Sequence, residues 1–140
     1  MRRIEWSTSL EIGAEEIDDD HRRLVALMQK VESAIEQGNH PLCRITIQTF
    51  IDAASDHFAK EEAFLARIGF PDIDDHKFYH LSLLTRANEL QRTCDTGVSE
   101  PHARICYDQV AGFLIDDVIR GDLGIKEFLD RHGSNSRAAK

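Results

Sequence analysis

Residues 57–61 read His-Phe-Ala-Lys-Glu and residues 76–80 read His-Lys-Phe-Tyr-His, and these two stretches decide how the chain folds. Residues four apart on an α-helix are neighbours on one face, so each stretch, when helical, presents two metal-ligating side chains side by side. A further histidine, His21, and two acids, Asp117 and Asp122, lie in other helical segments. Two such pairs, one histidine and a carboxylate from a fourth helix suffice to hold two metal ions inside a bundle. The sequence therefore predicts a metal site with a helical scaffold around it.

Apolar and ligand-type residues recur at helical spacing in four segments. The first has its stripe at residues 17, 21, 24, 28, 31 and 35 and is closed by Gly38. The second runs from Pro41 to Ile68, the third follows Pro71, and the fourth opens near residues 99–101. Because no useful run alternates with period two, we predict an all-α fold: an antiparallel up-down four-helix bundle.

Smaller elements flank the predicted bundle. We expect a domain over residues 1–132 whose residues 1–16 form an N-terminal arm, a short C-terminal helix at 125–129, and a flexible polar tail at 133–140. In the fourth segment, Asp122 lies five residues beyond Asp117, which is about 140° away on an ideal α-helix. Both acids can therefore face the core only if the helix ends or loosens near Gly121.

Composition excludes several classes of function. At 140 residues the chain suits one domain, and a formal net charge of −8 argues against a nucleic-acid surface, which needs a basic patch. No apolar run approaches the roughly 20 residues of a membrane span, so we expect no membrane partner and a cytoplasmic location. The three cysteines are an odd number without paired spacing, which argues against a disulfide framework.

Metal binding competes with a simpler interpretation of the inward histidines. Burying four imidazoles and two carboxylates is costly unless they are paired or metallated, and a buried histidine–carboxylate network is the alternative. The acids at 18–20 and 72–75 are interpreted as helix-terminal acids favoured by capping and the helix dipole, and Glu62 as a solvated or helix-pairing acid. Four apolar residues are interpreted as core, with a secondary role in lining a pocket for a small ligand: Leu24, Phe58, Phe113 and Leu114.

The motifs resemble hemerythrin, and more closely the single-domain bacterial hemerythrins. The similarity covers nearly the whole chain and rests on three blocks: His57-Phe58-x-x-Glu61-Glu62, Phe70-Pro71-x4-His76-x3-His80, and Phe113-Leu114-x-x-Asp117-Val118-x3-Asp122. It implies a non-haem di-iron centre with an oxo or hydroxo bridge that binds O₂. By the same resemblance, His21 and His57 ligate the iron with the open position, Glu61 and Asp122 bridge the pair, and His76, His80 and residue 117 complete the second iron.

Position 117 is where the chain departs from the family, which has a histidine there. If Asp117 binds, it adds a negative charge to the ligand set, which favours the ferric state, lowers the reduction potential and makes manganese a more plausible occupant. The family's tryptophan and methionine are replaced by Phe113 and Leu65, which keep the packing apolar.

Three functions follow from the resemblance. The first is a protein that binds O₂ or a related small ligand for storage, delivery or sensing, without turnover, and we favour this over an enzyme. The second is a di-iron oxidase- or peroxidase-like enzyme, motivated by the extra carboxylate, whose redox partner the sequence does not identify. The third is a degenerate interaction module with partial or no metal.

Overall fold

Four long helices build the described part of the chain. The computed structural model describes residues 5–95 and 100–138, with side chains at residues 5–89, 91–92, 104–115 and 118–132. The helices are α1 Glu15–Glu36, α2 His40–Ile68, α3 Ile73–Asp95 and α4 Glu100–Gly112. A π-helical segment, Phe113–Ile119, and a 3₁₀ turn, Arg120–Asp122, lead from α4 into α5, Leu123–Ala138; another 3₁₀ turn, Thr8–Leu10, lies in the N-terminal arm.

The helix ends follow the predicted stop and start signals. Gly38 and Gly69 adopt φ values of 67° and 68°, the left-handed conformation that glycine takes after a helix C-terminus. Asn39 caps α2 by accepting a 3.1 Å hydrogen bond from the Leu42 N–H, and Pro41 occupies the first turn. These short connections turn the chain back on itself between successive helices.

The helices pack as a closed bundle, and the predicted all-α fold is confirmed. Helix α1 contacts α2 and α4, and α3 contacts α2 and α4. The main apolar cluster includes Leu24, Met28, Phe50, Ala54 and Phe113. A second cluster contains Ile12, Ala14, Ile17, Leu65 and Ile125. Along α1 and α2 the clusters flank His21, His57 and Glu61, so the polar centre lies between two apolar layers.

The N-terminal arm is tied to the start of α1 by Asp18. Its buried carboxylate accepts hydrogen bonds from the backbone N–H groups of Ile12, at 2.8 Å, and Gly13, at 3.2 Å. Gly13 has a φ of 92°, which a residue with a Cβ rarely adopts. Asp18 therefore satisfies arm donors within the first turn of α1, three residues before His21.

Two features near the C-terminus refine the sequence predictions. Helix α5 runs from Leu123 to Ala138 and is longer than the predicted short helix at 125–129, because the polar residues that follow Leu129 continue the helix. The predicted loosening near Gly121 takes the form of the π-helical and 3₁₀ segments. In the part of the chain that is described, every helix is too short or too polar to cross a bilayer.

Candidate metal centre

Six of the seven predicted ligand side chains converge at one place in the bundle. His21 comes from α1, His57 and Glu61 from α2, and His76 and His80 from α3. Asp122 comes from the 3₁₀ turn after the π-helical segment. All but His76 are buried to at least 98%. The structure therefore brings these six side chains together in the interior of the bundle.

The six side chains form two overlapping groups that suit metal ions. The first group is His21, His57, Glu61 and Asp122, and the second is His76 and His80 with the same two acids. In each group one candidate ligand atom per residue lies within 4.8 Å of all the others. Imidazole nitrogen and carboxylate oxygen together suit iron, manganese and zinc.

Each shared acid turns one oxygen towards each group. Glu61 Oε2 lies 2.9 Å from His57 Nε2, and Glu61 Oε1 lies 2.5 Å from His76 Nε2 and 3.1 Å from His80 Nε2. Asp122 Oδ2 lies 3.0 Å from His21 Nε2, and its Oδ1 lies 3.1 Å from His76 Nε2. Each of the two carboxylates therefore contacts histidines of both groups.

The loosened helix accounts for the position of Asp122. A π-helix closes i→i+5 hydrogen bonds and occurs in proteins mostly as short insertions at functional sites. Here it occupies Phe113–Ile119, and the tighter 3₁₀ turn brings Asp122 to the centre, buried to 98%. The backbone at residue 117 belongs to the π-helical segment, but the Asp117 side chain lies outside the described residues, so its role as a ligand stays a prediction.

Charge pairing changes the proton affinities of the metal-free centre. Burial alone would lower the pKa of His57, but the Asp122 and Glu61 carboxylates raise it from 6.5 to about 10. Of these two acids Glu61 is nearer, since its oxygen is 2.9 Å from His57 Nε2 and that of Asp122 is 3.9 Å away. The same competition raises the pKa of His76 from 6.5 to about 9. Burial opposes ionisation of Glu61, yet hydrogen bonds from the histidines hold its pKa well below 4.5.

Hydrogen bonding alone does not satisfy this cluster. Glu61 Oε2 and Asp122 Oδ2 are buried and lack a well-directed hydrogen bond from the described residues, although each has an imidazole nitrogen within about 3 Å. The Nε2 atoms of His21 and His57 face each other at 3.1 Å, where one proton serves both nitrogens. A cation in each group would satisfy these inward lone pairs, so the donor set fits a pair of metal ions.

Two acids outside the two groups contact the Nδ1 atoms of His57 and His80. His57 Nδ1 lies 3.1 Å from Asp20 Oδ2, and His80 Nδ1 lies 3.0 Å from Glu62 Oε2. A proton on Nδ1 that donates to a carboxylate fixes the tautomer and leaves Nε2 free as a ligand. The sequence indicates a helix cap at Asp20 and a solvated or helix-pairing acid at Glu62, and the structure adds a contact with a histidine ring to each. Each acid and its histidine lie on different helices, so helical spacing within one segment gave no signal.

The four apolar residues proposed to line a ligand pocket lie in the main apolar cluster. Leu24, Phe58, Phe113 and Leu114 are all at least 98% buried. Phe58 stacks on His80 with ring centroids 4.3 Å apart and lies 5.9 Å from the His57 ring. Their placement in the core is confirmed, and a role in a ligand pocket stays a prediction.

Comparison with known proteins assigns this arrangement to a family. The family profile of the hemerythrin HHE cation binding domain matches residues 12–120. The chain belongs to the hemerythrin family. The matched segment contains the four histidines and Glu61, while Asp122 lies just beyond its end.

Relatives of this hemerythrin domain include bacterial and animal proteins. It is 27% identical over 129 residues to the bacteriohemerythrin of Clostridium acetobutylicum, covering 89% of this chain and 98% of the relative. The bacteriohemerythrin of Pseudomonas aeruginosa is 27% identical over 89 residues, which are 64% of this chain and 58% of the relative. The myohemerythrin of Theromyzon tessulatum is 25% identical over 76 residues, 54% of this chain and 58% of the relative. The domain thus spans less than two thirds of the length of the Pseudomonas and Theromyzon proteins.

Proposed function

We propose that this hemerythrin domain holds two non-haem iron ions and binds O₂ or a related small ligand for storage, delivery or sensing. The observation that carries the proposal is the pair of shared carboxylates. Glu61 and Asp122 each direct one oxygen to the first group of histidines and the other oxygen to the second. A two-metal centre requires such shared carboxylates, and a site for one metal ion does not.

The ligand residues divide between the two positions. His21 and His57 would hold one iron, His76 and His80 the other, and both acids would bridge them. Iron bound there would supply a redox-active centre for a diatomic ligand. Asp20 and Glu62 would orient the His57 and His80 rings from outside.

Apolar side chains pack on both sides of the centre. Phe58 covers the His80 ring, and Leu24 and Leu114 are almost completely buried in the same cluster. Such walls limit the access of bulk water to the apolar sides of the centre, and they would shield a bound ligand there from solvent. This favours a binding role over turnover.

Asp117 would complete the second position, directly or through a water molecule. The sequence supports this proposal, because residue 117 occupies the family's histidine position in the block Phe113-Leu114-x-x-Asp117-Val118. A third carboxylate would favour oxidised iron and manganese. It is also the feature that motivates the alternative, a di-iron oxidase or peroxidase. Peroxide-dependent oxidation of an artificial donor by the iron-loaded protein would favour that alternative.

Metal content and one spectrum test the proposal. After anaerobic loading with Fe²⁺ and removal of free metal, we expect about two iron ions per chain and new charge-transfer absorption on exposure to air. His57→Ala should lose most of the iron of the first position, while His132→Ala, a substitution at an exposed histidine, should keep both. Fewer than about one iron per chain in the wild type, or full iron retention by His57→Ala, would contradict it.

A further inference from the structure

A cavity of about 240 Å³ opens beside the second histidine group at the start of α3. Its lining residues are Phe70, Asp72, Asp75, His76, Tyr79 and Gly121. His76 belongs to both the cavity wall and the candidate metal centre. The cavity therefore adjoins the position that His76 and His80 would occupy with metal.

His76 is the most accessible of the six converging residues. Its side chain is 10% exposed, whereas those of the other five are exposed by 3% or less. Its Nε2 atom still faces Glu61 and Asp122 within the centre. His76 thus links the solvent side of the bundle with the buried carboxylates.

Tyr79 and Gly121 form the wall of the cavity next to Asp122. A Cβ at residue 121 would lie 2.8 Å from a Tyr79 ring carbon and 2.9 Å from its hydroxyl oxygen. The Tyr79 ring, 6.2 Å from that of His76, would have to shift if residue 121 carried a Cβ. The opening therefore lies beside Tyr79 and the 3₁₀ turn, with Phe70 of the second apolar layer in its lining.

Two carboxylates stand in the lining of the cavity. Asp72 and Asp75 have exposed side chains. Among the described residues neither makes an ion pair, in contrast to Glu16 and Asp19 on α1, which pair with Arg67 and Arg22. Unpaired acids beside a cleft raise the local concentration of cations and their rate of entry.

We propose that this cavity is the route by which a divalent metal ion enters the centre, with Asp72 and Asp75 attracting the ion and His76 receiving it from the solvent side. The inference rests on the proposed function. It adds an entry path and names residues that act on the rate of loading rather than on the number of ions bound.

Loading the metal-free protein with Co²⁺ tests the entry route separately from the two-metal centre. The rise of visible absorbance gives the loading rate, and its end point gives the number of ions bound per chain. We expect Asp72→Asn/Asp75→Asn to slow loading about three- to tenfold at low ionic strength, with an unchanged end point. The effect should shrink as salt is added, since exposed charges are screened. The matched control is Glu16→Gln/Asp19→Asn, which removes the same charge beside a different groove lined by Ile17, Asp20 and Lys60. It should load within about twofold of the wild type.

A second variant tests the path without changing charge. Tyr79→Ala removes the wall and should accelerate both Co²⁺ loading and release to a chelator, with circular dichroism used to verify an unchanged helix content. Equal slowing in both charge variants, or wild-type rates in both Asp72→Asn/Asp75→Asn and Tyr79→Ala, would overturn the proposed route. A wild-type end point below two ions per chain would instead count against the two-metal function.

Discussion

Glu61→Gln removes the carboxylate that touches three of the four inward histidines while keeping the side chain's size. In the metal-free protein Glu61 is fully buried and faces His57, His76 and His80. The increase in the pKa of His57 from 6.5 to about 10 corresponds to a net of about 5 kcal/mol in favour of the charged ring after its burial is overcome by Asp122 and Glu61, of which Glu61 is the nearer. Breaking a buried ion pair typically costs about 3–5 kcal/mol, so we expect Glu61→Gln to lower the free energy of unfolding by about this amount.

The loss of unfolding free energy in Glu61→Gln depends on pH, and the direction follows from the pKa shifts. A raised histidine pKa contributes stability that is fully present below 6.5 and disappears as pH rises from 6.5 to about 10. The depressed pKa of Glu61 adds stability above about 4.5 that is lost as pH falls through its folded-state value. The free energy of unfolding of the wild type should therefore exceed that of Glu61→Gln by the largest amount near pH 6.

Thermal unfolding of the metal-free proteins, followed by circular dichroism from pH 5 to 10, measures the difference. For a chain of this length about 3–5 kcal/mol corresponds to a melting temperature about 10–20 °C lower in the variant at pH 6. The gap should narrow towards pH 10. A gap below about 3 °C at pH 6, or one that widens with rising pH, would refute the charge-pairing account. The same variant should also retain less than about one iron per chain, since Glu61 belongs to both groups.

Three further outcomes are expected. Glu62→Gln should weaken metal affinity about 10- to 100-fold in a competitive titration, because the amide is a poorer partner for His80 Nδ1; an unchanged affinity would show that this contact does not orient the ring. Chelation should lower the melting temperature of the loaded protein by the equivalent of about 2.7 kcal/mol per bound ion when free metal had stood at about 100 times its Kd, and equal melting of both forms would exclude binding to the folded state. Asp117→His should raise the reduction potential and slow oxidation of the ferrous protein in air; an unchanged spectrum, metal content and oxidation rate would make Asp117 a bystander.

The sequence predicted the helices and most of the centre because both depend on local periodicity. Spacings of three and four residues place His57 with Glu61 and His76 with His80 on single faces, whatever the neighbouring helices do. The glycines at 38 and 69 likewise act within a few residues of their own helices.

Contacts between distant segments could not be inferred in the same way. Asp20 reaches His57 across 37 positions, and Glu62 reaches His80 across 18, so their roles arise only when α1, α2 and α3 pack together. The need for a loosened helix before Asp122 followed from simple geometry. The π-helical form of this loosened segment could not be predicted in that way, because a π-helix is locally less favourable than an α-helix and persists through the packing of the folded bundle.

The π-helical segment Phe113–Ile119 makes chain length a constraint on the centre. Each residue of an α-helix advances the chain by 100°, and a π-helix, with its i→i+5 hydrogen bonds, advances it by less per residue. If these seven residues formed a regular α-helix instead, everything after them would rotate by roughly 100°, and Asp122 would leave its place beside Glu61 although no ligand had been mutated. Substitutions that favour a regular α-helix in this stretch should consequently disturb the centre, whereas deletion of one residue would compensate for the change of helix type.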